Sequence, residues 1–252
     1  MPDFFISWFY TSFAVIKTYF LYAGGLYLLF YVVFKNGFMQ RKIQKRFPQW
    51  AIIKHEIFNS CCTAVIFGGV TIVTLKYLYP YTNMFTDRDE YGMAYYYLSL
   101  PLMFIIHDAY FYWTHRLMHI PLLYKWIHKT HHISINPNPF SSYSFHPAEA
   151  FVEAGIILVI VFTLPVSPSA LLFFLFWQFI YNLYGHSGYE MYPSWLHKTF
   201  VGKWINTSFS HNMHHRVAHK NFGLYFLFWD RLMGTLHHKY EERFELAQKS
   251  RQ

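Results

Sequence analysis

The chain has 252 residues, of which 54% are hydrophobic, 23% aromatic and only 13% charged. A soluble domain carries about 25% charged residues, so the deficit argues against an ordinary soluble protein and points to lipid. The net charge of +8 has no basic run on a soluble scaffold behind it, which argues against a nucleic-acid partner and for positive loops facing anionic lipid.

Taken in order, Met1-Pro2-Asp3 shows no positive leader and no small-residue cleavage pattern, so no removable signal peptide is expected. Residues 13–34 predict a first membrane helix, with Lys17 snorkelling to the near interface. The loop after it holds Lys35, Arg41, Lys42, Lys45 and Arg46 and no acid, which predicts a cytoplasmic loop. A second span is expected over 57–79, where Gly68-Gly69 would let a neighbouring helix come close. Cys61 and Cys62 are adjacent and are expected as buried thiols, since neighbours rarely close a relaxed disulfide. The loop with Asp87, Arg88, Asp89 and Glu90 suits the outer side. A third span over 93–113, kinked at Pro101, returns the chain to the cytoplasm and delivers His107.

Residues 151–164 and 170–184 are two short apolar runs around Pro165-Val166-Ser167-Pro168. At about 1.5 Å per residue each is short for a full crossing. A helical hairpin that returns to the side it left is expected. The predicted fold is therefore an all-α integral membrane protein with three to five membrane helices, the hairpin 151–184 included. A cytosolic, histidine-rich helical cap (107–146 and 186–238) completes one domain over 1–252.

The cap concentrates 15 of the chain's 16 histidines. Residues four apart share a helix face, so His115 and His119 point the same way. His128, His131 and His132 gather on one face if helical, and His211, His214 and His215 repeat that spacing. With His186, just past the hairpin, these nine are the expected metal ligands. Neutral imidazole suits zinc, iron, copper or nickel. His107 and His146 are expected behind the ligands or beside substrate, with ligation open for both. Asp108 and Glu149 are expected either to back ligating imidazoles or to pair with Arg116 or Lys129. His197 and His219 are weaker candidates. His55, His237 and His238 read as ordinary surface or core side chains.

These residues resemble the fatty acid hydroxylase and sterol desaturase superfamily of membrane di-iron enzymes. The resemblance rests on His115-x3-His119, His128-x2-His131-His132 and His211-x2-His214-His215. Their flanks match too: His107-Asp108 with Trp113-x-His115-Arg116, Phe145-His146-Pro147-x-Glu149, and Trp229-Asp230-Arg231 with Gly234-Thr235. The first two flanks are most similar to sterol C5-desaturases. His186-Ser187-Gly188-Tyr189 is more similar to the sterol C4-methyl oxidase and cholesterol 25-hydroxylase branch.

The resemblance implies two iron ions, with zinc possible as purified, and O2 as co-substrate. It implies hydroxylation or desaturation of an unactivated C–H bond in a membrane lipid such as a sterol or fatty acyl chain. His107, Asp108, His146 and Glu149 would serve the reaction. The lipid is expected to enter by an aromatic slot between the hairpin and the third span. A separate donor, cytochrome b5-like or ferredoxin-like, would dock on the basic cytoplasmic face of a bacterial inner membrane or endoplasmic reticulum protein. Two rival readings are a zinc-dependent membrane hydrolase, which needs only about three protein ligands, and a metal transporter, which would place ligands near mid-bilayer.

Overall fold

The computed structural model describes residues 2–87 and 90–249 and contains helices and loops with no strand among the described residues. Arg88 and Asp89 of the expected outer loop lie outside the described residues. Helix α1, Asp3–Val33, and helix α2, Trp50–Tyr81, run 31 and 32 residues and are the two described helices long and apolar enough to cross a membrane. Both begin earlier than predicted. In α1, Asp3 in the first turn complements the helix dipole. The two helices touch at Gly68, where a side chain would stand 2.9 Å from the Ser12 backbone nitrogen. Close by, Trp8 Nε1 donates to the Val65 carbonyl at 2.8 Å.

Helix α3, Gly92–Met118, continues through Pro101 for 27 residues. It is long enough to span but less apolar than α1 and α2, because His107, Asp108, His115 and Arg116 occupy its C-terminal part. Helical turns at Pro121–Leu123, Tyr124–His128 and Lys129–His132 follow as one irregular stretch, α4. The hairpin is α5, Pro147–Thr163, and α6, Pro168–Gly185, of 17 and 18 residues. Each helix starts on a proline that the sequence reading left in the loop. His146 Nδ1 accepts from the Ala148 amide and Ser167 Oγ from the Ala170 amide, both at 3.2 Å, so one orphan amide of each first turn is satisfied. The cap is completed by α7, Ser208–Val217, α8, Phe228–Leu232, and α9, Tyr240–Lys249.

Two apolar cores position this frame. Met103 of α3 packs on Ile156, Ile157, Ile160 and Phe174 of the hairpin. That packing occupies part of the interface between α3 and the hairpin, where a lipid slot was expected. On the other side of the hairpin, Tyr19, Ile53, Tyr143, Ala150 and Phe179 join α1 and α2 to the segment before α5.

The hairpin leaves and re-enters the same end of the molecule, since Glu149 in its first turn and His186 at its last cap both reach the histidines. The basic loop lies at that end as well. The Ile43 amide donates to the Gly188 carbonyl at 3.0 Å, and the Glu190 amide to the Arg41 carbonyl at 2.9 Å. Lys42 differs from the surface charge expected. It is 2% exposed, with its Nζ 4.7, 5.1 and 5.0 Å from the rings of Tyr31, Phe47 and Tyr189. The loop after α2 lies at the opposite end, where the Asn83 amide donates to the Val161 carbonyl at 2.8 Å.

Candidate metal centre

The nine imidazoles expected as ligands form two groups. His115, His119, His128, His132 and His214 make one; His131, His186, His211 and His215 make the other. Within each group the ligand atoms lie within 4.8 Å of one another. All are buried except His119, which is half-buried.

Helix geometry explains the division. On α4 and on α7, residues four apart stay nearly in line, whereas the residue at the third position turns away by about 100° from its neighbour. His128 and His132 therefore serve the first group and His131 the second. His211 and His215 serve the second and His214 the first. The sequence reading had put each triplet on one face. In the structure each triplet is shared, and α4 and α7 clamp both groups between them. His132 and His215 stack across the divide with ring centroids 4.8 Å apart.

The facing atoms are the Nε2 nitrogens. In the first group, Nε2 atoms approach at 3.1 Å for His115–His128, His128–His132 and His132–His214, and at 3.3 Å for His115–His119. In the second, the approaches are 3.2 Å for His131–His186, 3.0 Å for His186–His211 and 3.1 Å for His211–His215. The opposite ring nitrogens settle several tautomers. Nδ1 of His115 donates to the Phe222 carbonyl at 3.0 Å, that of His214 to Lys220 at 2.7 Å, and that of His186 to Asn182 at 2.9 Å. A carbonyl only accepts, so each of these Nδ1 atoms carries the proton and each Nε2 presents a bare lone pair.

Bare lone pairs aimed at one another repel, and a cation shared among them removes the repulsion. A metal–imidazole bond of about 2.1 Å places neighbouring ligand nitrogens roughly 3.0 Å apart at right angles and roughly 3.4 Å apart at tetrahedral angles. The observed spacings fit that range, so the residues fit two metal ions. The surroundings keep the rings neutral. Burial first, then the neighbouring imidazoles, hold His128, His131, His211 and His215 well below the ordinary histidine range.

The remaining candidates fall into place around these groups. Glu149 Oε1 accepts from His128 Nδ1 at 2.7 Å, so of its two expected roles it backs an imidazole. Asp108 does neither thing expected of it. Among the described residues no hydrogen bond or ion pair joins it to an imidazole, Arg116 or Lys129, and its Oδ1 accepts from the Tyr225 and Phe226 amides at 2.9 and 3.1 Å. His107 sits beside that loop, its Nδ1 2.9 Å from the Tyr225 hydroxyl. His146 caps α5 and joins neither group. Nor do His197, 2.9 Å from Glu245 Oε1, or His219, which is exposed.

Other contributors were not among the candidate site residues, although Asp230 stands in the Trp229-Asp230-Arg231 motif. Asp230 accepts from the Phe222 and Gly223 amides at 2.9 and 2.8 Å and from Thr235 Oγ1 at 2.7 Å. Asp108 and Asp230 thus fasten opposite ends of the loop whose carbonyls orient His115 and His214. Glu190 accepts from the Phe209 amide at 3.0 Å and steadies the start of α7. On α2, Glu56 accepts from Ser134 Oγ and Asn138 Nδ2, both at 2.6 Å, and fixes the chain just after His132.

A cavity of about 360 Å³ opens onto these imidazoles. It runs between the hairpin and the first two helices, lined by Val15 of α1, Phe67 of α2, Phe179 of α6 and, at the inner end, His107, His131 and His186. The cavity is thus walled by α1, α2 and the hairpin, with His107, Phe111 and His115 of α3 also bordering it.

A family model described as fatty acid hydroxylase matches residues 100–235. Among curated proteins, a Delta(7)-sterol 5(6)-desaturase of Leptosphaeria maculans is 30% identical over 233 residues, which cover 90% of this chain and 60% of that protein. A Delta(7)-sterol 5(6)-desaturase of Gibberella zeae is 30% identical over 184 residues, covering 73% of this chain and 55% of the relative. The lathosterol oxidase of Homo sapiens is 29% identical over 227 residues, covering 87% and 72% respectively. The chain thus spans little more than half the length of the first two relatives. No solved structure matches it.

Proposed function

The chain belongs to the fatty acid hydroxylase family, and from that premise we propose that it oxidises an unactivated C–H bond of a membrane lipid. The reaction is hydroxylation or desaturation, with two iron ions as cofactor and O2 as co-substrate. The observation that carries this reading is the pair of Nε2 clusters, five and four imidazoles strong, at the inner end of one apolar cavity. The relatives named above are sterol desaturases and a sterol oxidase. When bound, the irons supply the reduction of O2 and the oxidising power that a C–H bond requires.

The protein's own residues do the rest. His115, His119, His128, His132 and His214 would hold one ion; His131, His186, His211 and His215 the other. Glu149 keeps His128 in its ligating tautomer. His107 presents its ring to the cavity. Asp108 positions the loop behind His107 and His115, and His146 starts α5 so that Glu149 meets His128. Apolar walls exclude water and hold a carbon chain or ring against the centre. Lipid enters from the bilayer alongside α1 and α2.

Electrons come from a separate donor, cytochrome b5-like or ferredoxin-like. Lys125, Lys129 and Arg216 are exposed and lie next in sequence to ligand-bearing turns, which gives an acidic donor a short path to the metals. We place this end in the cytoplasm, in a bacterial inner membrane or the endoplasmic reticulum, because the basic loop after α1 is folded against it. A zinc hydrolase would use about three protein ligands where nine converge here, and a transporter would carry its ligands near the middle of its spans. The test is lipid mass spectrometry on cells with and without the protein, in air and under anaerobic conditions. Gain of one oxygen atom or loss of two hydrogens in a lipid, only with protein and O2, is expected. Product formed without O2 contradicts the proposal.

A further inference from the structure

The cavity wall carries one acid that the centre does not use. Glu153 lies on α5 one turn beyond Glu149, about 6 Å further from the imidazoles along the helix axis and on the same face. Glu149 is engaged with His128. Glu153 has no hydrogen-bond or ion-pair partner among the described residues, and it borders the cavity.

Several of its polar neighbours on the wall are already occupied, and Thr11, Thr18 and Thr71 border the cavity from α1 and α2. Tyr19 donates to the Phe140 carbonyl at 2.8 Å and Asn182 Nδ2 to the Ser142 carbonyl at 2.7 Å. Gln178 is hydrogen-bonded to Tyr143, and His107 meets Tyr225. Among the described residues no lysine or arginine lines the cavity, and Leu172, Leu175, Phe176 and Phe179 give it apolar walls.

A carboxyl group facing apolar walls is costly unless the occupant supplies a partner. A bare hydrocarbon supplies none. A phosphate head would need a cation that the wall lacks. A hydroxyl group meets the requirement in either protonation state, donating to a carboxylate or accepting from a carboxylic acid. The named relatives act on sterols, which are alcohols.

We propose that Glu153 is the polar anchor of the substrate. It receives the hydroxyl group of a hydroxyl-bearing lipid and thereby sets which carbon, a few bonds away, faces the metals. The inference rests on the reading of this cavity as the substrate site. Glu153 is a specificity-determining residue; the hydrogen removed comes from carbon, and the hydroxyl group is held without being transformed.

The test uses the full chain in lipid nanodiscs. Equilibrium binding is measured for a radiolabelled sterol with a free hydroxyl, for its methyl ether, and for a long-chain alcohol and the matching alkane. Binding to metal-free and iron-loaded protein is compared, and oxidised product is measured on the loaded form. The native protein is expected to prefer each alcohol over its capped or deoxy partner by on the order of tenfold or more. Glu153→Gln, which still hydrogen-bonds, retains most of that preference, and Glu153→Leu reduces it to about twofold or less. Preference for the sterol alone, or for the straight-chain alcohol alone, supports the anchor and identifies the carrier of the hydroxyl.

Equal binding of alcohol and ether by the native protein overturns the proposal, as does an unchanged preference in Glu153→Leu. So does failure of both alcohols to bind. Oxidation without preference removes the anchor and leaves the reaction standing. Preference lost in Glu153→Leu, but with no oxidation by loaded native protein, supports the anchor while the proposed reaction falls.

Discussion

Nδ1 of His128 lies 2.7 Å from Oε1 of Glu149, with both side chains 2% exposed or less. That contact ties the first turn of the hairpin to the first histidine group. The carboxylate fixes which nitrogen of His128 faces the cluster and raises its basicity. Glu149→Ala should therefore weaken metal at the first group by about tenfold to a hundredfold and leave the second group occupied. Chelator competition followed by metal analysis reads this directly. Equal loss from both groups would show that Glu149 acts on the fold as a whole.

The alternation within the triplets gives a sharper expectation. His131 and His132 are adjacent yet belong to different groups. His132→Ala should lower occupancy at the five-imidazole group, and His131→Ala at the four-imidazole group. In each variant the other ion should remain. Stoichiometry together with an iron spectroscopic signature separates the two. Identical spectra from both variants would mean that the triplets are not divided as described.

Asp108 is expected to act through structure. Its Oδ1 is the acceptor for two buried amides, those of Tyr225 and Phe226. Asp108→Ala leaves them without it, at a cost of about 2–4 kcal/mol in stability. Asp108→Asn keeps an acceptor oxygen and should stay close to the parent in both thermal stability and turnover. Loss of turnover in a stably folded Asp108→Asn would instead show that the charge itself serves the reaction.

Lys42 should make stability depend on pH. Burial, followed by the nearby charge of Lys45, pushes its amine down to about 8. Its folded value is below its unfolded value, so between pH 8 and 10.5 the unfolded chain binds the extra proton. Stability from this group therefore rises as pH rises through that window, and at neutral pH the buried charge is a liability. Lys42→Met should raise the melting temperature at pH 7.5 and flatten the rise between pH 7.5 and 9.5. A variant with the same pH profile as the parent would show that the ammonium is not buried as described.

Much of this was legible from spacing alone. His115 and His119 are four apart on a helix, so their shared direction follows from geometry and needs no partner. The nine candidate ligands could be picked out because imidazoles in such repeats have few other uses. Which triplet member serves which group was not legible, because that depends on how α4 and α7 face each other. The role of Asp108 was hidden for a similar reason. Its partners are backbone amides of residues 225 and 226, and an amide leaves no mark in the sequence. Glu153 and Glu56 belong to no motif in the sequence, and only the fold places one beside a cavity and the other beside Ser134 and Asn138. The lipid path was sought beside α3, since aromatic residues there suggested a slot. Met103 and Phe174 pack in part of that interface, while Phe111 and His107 of α3 border the cavity that also reaches α1 and α2.

The most direct test of the central claim is anomalous X-ray scattering at the iron edge from crystals of iron-loaded protein. Two peaks per chain are predicted, one among Nε2 of His115, His119, His128, His132 and His214, the other among Nε2 of His131, His186, His211 and His215. A single peak, or iron bound away from these nitrogens, would contradict the account.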